Sequence, residues 1–154
     1  MELATILRSD AVKALHGATS KKRLFQEIAD VANSVSGLNL TDVCSALQER
    51  ENLGPTGVGH GVALPHARLR DVDDVFGIFI RLEKSLDFGS VDRQPVDLVF
   101  ALLAPEDAGV EHLKALALVS RTMRDANICA KLRANNDPAT LHTILTETRN
   151  VQAA

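Results

Sequence analysis

Two runs, Val75–Leu82 and Val96–Leu103, place apolar side chains at consecutive positions rather than at alternate ones. A strand with one wet face alternates, whereas a strand covered on both faces does not. The pair therefore predicts central strands with helices on each side. Apolar residues at helical spacing supply the cover. Leu24, Phe25, Ile28, Val31, Ala32 and Val35 repeat this way between a Thr19 or Ser20 cap and Gly37, and Val43, Ala46 and Leu47 share one face of a helix beginning at Thr41-Asp42. Three further helical patterns run from about Val110 to Arg124, from Asp125 through Ile128 and Leu132, and from the Asp137-Pro138 cap through Leu141, Ile144 and Leu145. Ala11–Leu15 and Val62–Leu64 read as shorter strands, and Lys84–Phe88 as an edge piece. The expected architecture is α/β: a small mixed β-sheet flanked by α-helices on both faces, a three-layer sandwich.

A chain of 154 residues without repeat, low-complexity tract or linker reads as a single domain over 1–150, with 151–154 a frayed tail. Only 3% of residues are aromatic against 45% hydrophobic, so the core must be aliphatic. A net charge of −3 offers no basic field and argues against nonspecific nucleic-acid binding. The longest apolar run, Val96–Ala104, is broken by Asp97 and far too short to span a membrane. No leader is visible, and Cys44 and Cys129 sit alone within helical patterns, as reduced thiols filling core space do. These features predict a cytoplasmic protein without membrane insertion.

The chemistry is concentrated in Gly54-Pro55-Thr56-Gly57-Val58-Gly59-His60-Gly61-Val62-Ala63-Leu64-Pro65-His66, which holds four of the nine glycines. A backbone this free of Cβ atoms can approach a ligand closely, and its N–H groups can converge on an anion. Val62-Ala63-Leu64 reads as a strand that Pro65 stops, fixing the backbone beside His66. Arg50 falls on the apolar face of the preceding helix. It either complements the helix dipole and snorkels to water or reaches an anion held by the loop. His112, in the first turn of its helix, shares a face with Ala115, Leu116, Val119 and Met123. It is either a satisfied half-buried ring or a neutral donor, since a helix N-terminus disfavours imidazolium. Thr56 either offers its hydroxyl to the same anion or shapes the turn. A zinc site built from His60, His66 and His112 is the rival arrangement. The spacing of His60 and His66 across a Pro-containing strand is not a common ligand spacing, and no carboxylate lies close in sequence. No Gly-Lys-Ser/Thr or helix-opening Gly-x-Gly-x-x-Gly marks a nucleotide site.

The stretch Thr56–His66, with Glu49-Arg50-Glu51 upstream and Gln94–Leu103 and Glu111-His112-Leu113 downstream, resembles the enzyme IIA domains of the fructose/mannitol/nitrogen type. These belong to the bacterial phosphoenolpyruvate-dependent phosphotransferase system. The similarity runs from about Ser20 to Thr148 and looks closest to the stand-alone nitrogen-regulatory form, in keeping with a chain that carries no fused IIB or HPr segment. The resemblance implies that His66 accepts a phosphoryl group, through Nε2, from the phosphohistidine of an HPr-like protein. It further implies that Arg50 and His112 stabilise that group, with Thr56, Gly57, Gly59 and Gly61 as phosphate-binding residues. It calls for no metal and no cofactor. The partners implied are the HPr-like donor and either regulatory target proteins or a IIB domain. Two alternatives stand beside this: a sugar-transport IIA that passes the group to a IIB domain, and a module whose glycine loop holds an anion without transfer. His60 departs from the pattern, which has Asn or another small polar residue there in many relatives.

Overall fold

The computed structural model describes residues 1–153, with side chains for 1–147, so the tail expected over 151–154 falls outside the fully described residues. Its centre is β6 (Val96–Pro105), one of six strands in a mixed sheet. Strand β5 (Phe76–Leu86) lies antiparallel beside it, from Phe76 opposite Leu103 to Leu86 opposite Val96. Beyond β5, β1 (Val12–Leu15) pairs in parallel. Every residue from Leu98 to Ala104 is buried, which is why this segment shows no alternation. The piece expected over Lys84–Phe88 is not separate, because β5 runs unbroken through Leu86 before Phe88 turns into the core.

On the other side of β6 lie β3 (Val62–Ala63) and β4 (His66–Leu69), both parallel to it. β3 does stop before Pro65, as expected, but pairing with β6 resumes directly after it. Val62 pairs with Leu98, Ala63 with Val99, His66 with Leu102 and Leu69 with Pro105, so the register is constant across Leu64-Pro65. Proline removes one donor, but its carbonyl still accepts from the Leu102 N–H at 2.9 Å, and the ladder resumes at once. His66 is thus the first residue of a strand, and β4 pairs with β6 alone, leaving its far edge open.

Strand β2 (Gly57–Gly59) runs antiparallel to β3, joined by the two-residue turn His60-Gly61. Both turn residues have positive φ, 56° and 79°. That is the geometry of a primed hairpin turn, where Asn-Gly is favoured and His is among the residues that tolerate the left-handed region. A Cβ on Gly61 would run into the Arg133 guanidinium and the Asp97 carboxylate, which form a bidentate pair at 2.9 Å.

The helices flank both faces of the sheet, as the three-layer reading predicts. α2 (Lys21–Ser36) and α3 (Leu40–Asn52) pack on each other and against β5 and β4. α1 (Leu3–Ile6), α4 (Gly109–Met123), α5 (Ala126–Arg133) and α6 (Pro138–Ala153) form the second group. Ser20 caps α2 by accepting from the Arg23 N–H, and Gly37 closes it in the left-handed conformation. α3 begins one residue earlier than Thr41-Asp42 suggests, because Asn39 is the cap and accepts from the Asp42 N–H at 3.1 Å.

Candidate active site

The last turn of α3, the start of β4 and the first turns of α4 converge at the open sheet edge. They enclose a cavity of about 600 Å³ lined by Arg50, His66, Arg68 and His112, with apolar walls that include Leu53 and Leu113.

His66 has a defined tautomer. Its Nδ1 lies 2.9 Å from the Leu64 carbonyl, which can only accept, so Nδ1 carries the hydrogen. Nε2 is left with its lone pair and accepts from Arg50 Nε at 3.2 Å. Arg50 is anchored in turn by Nη1 donating to the Gly54 carbonyl at 3.0 Å. Burial pushes the His66 pKa below its ordinary value, and the nearby Arg50 and Arg68 cations act in the same direction. The bond to the Leu64 carbonyl and the Glu51 carboxylate oppose this in part. Near neutral pH the ring is therefore uncharged, which a nitrogen nucleophile requires.

His112 points inward on the face shared with Ala115, Val119 and Met123, and its ring stands edge-on to that of His66 with centroids 5.6 Å apart. Its Nδ1 accepts from Arg68 Nε at 3.1 Å, and its Nε2 is buried with no hydrogen-bond partner among the described residues. Burial again lowers its pKa, followed by His66 and Arg68.

Arg50, His66 and His112 are thus brought together, as the sequence suggested. Thr56, Gly57, Gly59 and Gly61, the residues expected to bind phosphate, lie apart from this group. None lines the cavity. The buried Thr56 donates its hydroxyl to Glu51 at 2.6 Å and its N–H to the same carboxylate at 3.0 Å. A Cβ on Gly57 would collide with the Ser90 side chain, and one on Gly59 would crowd Asp92. These glycines let the β2–β3 hairpin pack against the 90–92 loop and α5. His60 sits on the hairpin turn, exposed, with its N–H on Asp92 and its carbonyl on Arg133. Among the described residues no three His, Cys, Asp or Glu side chains are grouped to hold a metal.

Two participants were not singled out from sequence. Glu51 is almost fully buried and gathers Thr56 and the Lys21 ammonium, the latter at 2.8 Å, bracing the loop whose Gly54 carbonyl holds Arg50. Arg68 lies two residues after His66 and therefore on the same side of a strand. The alternation in His66-Ala67-Arg68-Leu69, a second short strand after Pro65, is the sequence signal for it.

The family model described as phosphoenolpyruvate-dependent sugar phosphotransferase system, EIIA 2, matches residues 5–148. A nitrogen regulatory protein of Bradyrhizobium diazoefficiens is 45% identical over 145 residues, covering 94% of this chain and 95% of the relative. The crystal structure of nitrogen regulatory protein IIA-Ntr from Neisseria meningitidis superposes with a TM-score of 0.86 at 37% identity, covering 92% of this chain and 97% of that one. IIA mannitol from Escherichia coli, at 18% identity and a TM-score of 0.76 over 90% of this chain and 97% of its own, shares the fold.

Proposed function

This chain belongs to the EIIA 2 family of the phosphoenolpyruvate-dependent sugar phosphotransferase system, and on that premise we propose that it is a nitrogen-type phosphocarrier whose phosphoryl group resides on His66. The observation that carries the assignment is the Leu64 carbonyl on His66 Nδ1, which directs the lone pair of a neutral ring into the cavity from Nε2. In the reaction, that lone pair forms the new P–N bond while the P–N bond of the donor, the phosphohistidine of an HPr-like protein, breaks. The positive charge gained by the His66 ring is shared through Nδ1–H with the Leu64 carbonyl. Little else is demanded of the protein beyond donors for the phosphoryl oxygens. Arg50 supplies them once its Nε–H leaves His66, and His112 supplies the N–H of its unpartnered Nε2. Glu51 and Thr56 hold the frame.

The close relatives carry the name nitrogen regulatory protein, and this supports a regulatory role in which the phosphorylation state of His66 governs binding to target proteins. The reading treats residues 1–150 as one domain and sets it in the cytoplasm beside its donor. Among the described residues no helix is long and apolar enough to cross a membrane.

Incubation with phosphoenolpyruvate, enzyme I and an HPr-like protein, followed by phosphopeptide mapping, tests the assignment. One acid-labile, base-stable phosphoryl group on His66 is expected. An unlabelled protein would return it to a passive anion-binding module, and onward transfer to a IIB domain would move it to sugar uptake.

A further inference from the structure

We propose that Arg68 is a positioning residue that holds His112 in the tautomer bearing its hydrogen on Nε2, so that this N–H faces the phosphoryl group on His66. The inference rests on the phosphocarrier reading and assigns a role to a side chain which that reading leaves idle.

A guanidinium has donors and no acceptor, and it does not deprotonate in proteins. The 3.1 Å contact from Arg68 Nε therefore requires His112 Nδ1 to accept, and a neutral ring that accepts at Nδ1 carries its hydrogen on Nε2. The opposite tautomer would set an N–H against an N–H. The protonated ring is disfavoured as well, since it would lose this bond and place a second cation beside Arg68. Burial and the neighbouring His66 and Arg68 all keep the ring neutral.

The Nε2–H fixed in this way has no partner among the described residues, although it is buried. Buried donors are rarely left bare, and such a group calls for an explanation. His112 stands edge-on to His66 at 5.6 Å between centroids, and both rings line the same cavity. A phosphoryl oxygen on His66 supplies the missing acceptor. The strand geometry makes this possible: the constant register past Pro65 puts Arg68 on the His66 side of β4 and at its open edge, within reach of α4.

The test reads the tautomer and the transfer separately. Long-range proton–nitrogen spectra of the ¹⁵N-labelled full chain report the His112 tautomer with no phosphoryl donor present. The wild type is expected to show hydrogen on Nε2. Arg68→Met keeps the aliphatic stem, removes the donor, and should shift His112 toward the Nδ1–H form. The same variant should slow phosphorylation about ten- to a hundredfold, less than the loss of a donor outright. Arg68→Lys, which restores a donor to Nδ1, should recover both readouts in part. An unchanged His112 tautomer in Arg68→Met, or wild-type transfer by that variant, overturns the role of Arg68 while leaving a labelled His66 intact. A wild type that takes no phosphate overturns the phosphocarrier reading itself, whatever the spectra show.

Discussion

Arg50 Nε donates to His66 Nε2 at 3.2 Å, the one ring nitrogen that the Leu64 carbonyl leaves with a lone pair. The residue proposed to stabilise the transferred group thus occupies the nucleophile at rest. Attack requires Arg50 to release Nε2, and its N–H is then free for the phosphoryl oxygens. The bond from Nη1 to the Gly54 carbonyl keeps the guanidinium at the cavity wall during this exchange.

Losing the nucleophile and losing a donor should differ in kind. His66→Ala should abolish labelling. Arg50→Ala should still label, slowed about 10²–10³-fold, as when one preorganised donor is removed. Arg50→Lys should recover only part of this, because an ammonium lacks the planar fork that holds both Gly54 and the ring. Time courses with a pre-phosphorylated HPr-like donor check all three, and full labelling of His66→Ala would end the assignment.

Thr56 provides a contrast, because its hydroxyl is committed to Glu51 at 2.6 Å. Thr56→Val keeps the shape and removes that donor from a buried carboxylate. Hydrogen bonds to charged groups contribute about 1.5–3 kcal/mol, so a stability loss of that order is expected in denaturant titration. Phosphorylation of the folded protein should change little. A normal midpoint with transfer slowed a hundredfold would restore Thr56 to the phosphate site.

Much of this was legible in sequence because it obeys simple periods. The two doubly apolar runs became β5 and β6, the capping signals at Ser20 and Asp137 hold, and the apolar faces of α3 and α4 delivered Arg50 and His112 to one cavity. What stayed hidden depends on pairing between distant segments. A proline inside a sheet looks like an end until β6 is seen to carry the register across it. A glycine run reads the same whether its bare backbone meets an anion or, as here, Ser90, Asp92 and Arg133. Glu51 differs from an ordinary surface glutamate only through Lys21 and Thr56, which sequence does not place beside it.

The hairpin glycines should therefore behave as structural positions. Gly61→Ala would force a side chain into φ 79° and against both Arg133 and Asp97. Strain of this kind costs on the order of 1–3 kcal/mol, before any loss from displacing the ion pair. The melting temperature should fall, while His66 in the remaining folded protein accepts phosphate at close to the normal rate. Unchanged stability with abolished transfer would mean that Gly61 serves the anion after all.

Acid should act on the site through both rings. His66 and His112 have pKa values lowered first of all by burial, so the folded protein resists protonating them where an unfolded chain, with histidines near about 6.5, already binds protons. Stability rises with pH wherever the unfolded state holds more protons. It should therefore drop as pH is lowered from about 6.5 toward the folded values, and level off for these two groups only below them. The variant His66→Gln, His112→Gln should show a shallower slope in that window. Transfer should follow the same titration from the other side: single-turnover acceptance from a pre-phosphorylated donor should stay flat on acidification through 6.5 and fall only once Nε2 of the folded protein is protonated. Arg50→Ala removes one of the cations that depress the His66 pKa, so its acid limb should move to higher pH, beneath an overall slower rate. An acid limb at the ordinary histidine value in the wild type, unmoved by Arg50→Ala, would mean that the ring is not held neutral by its surroundings.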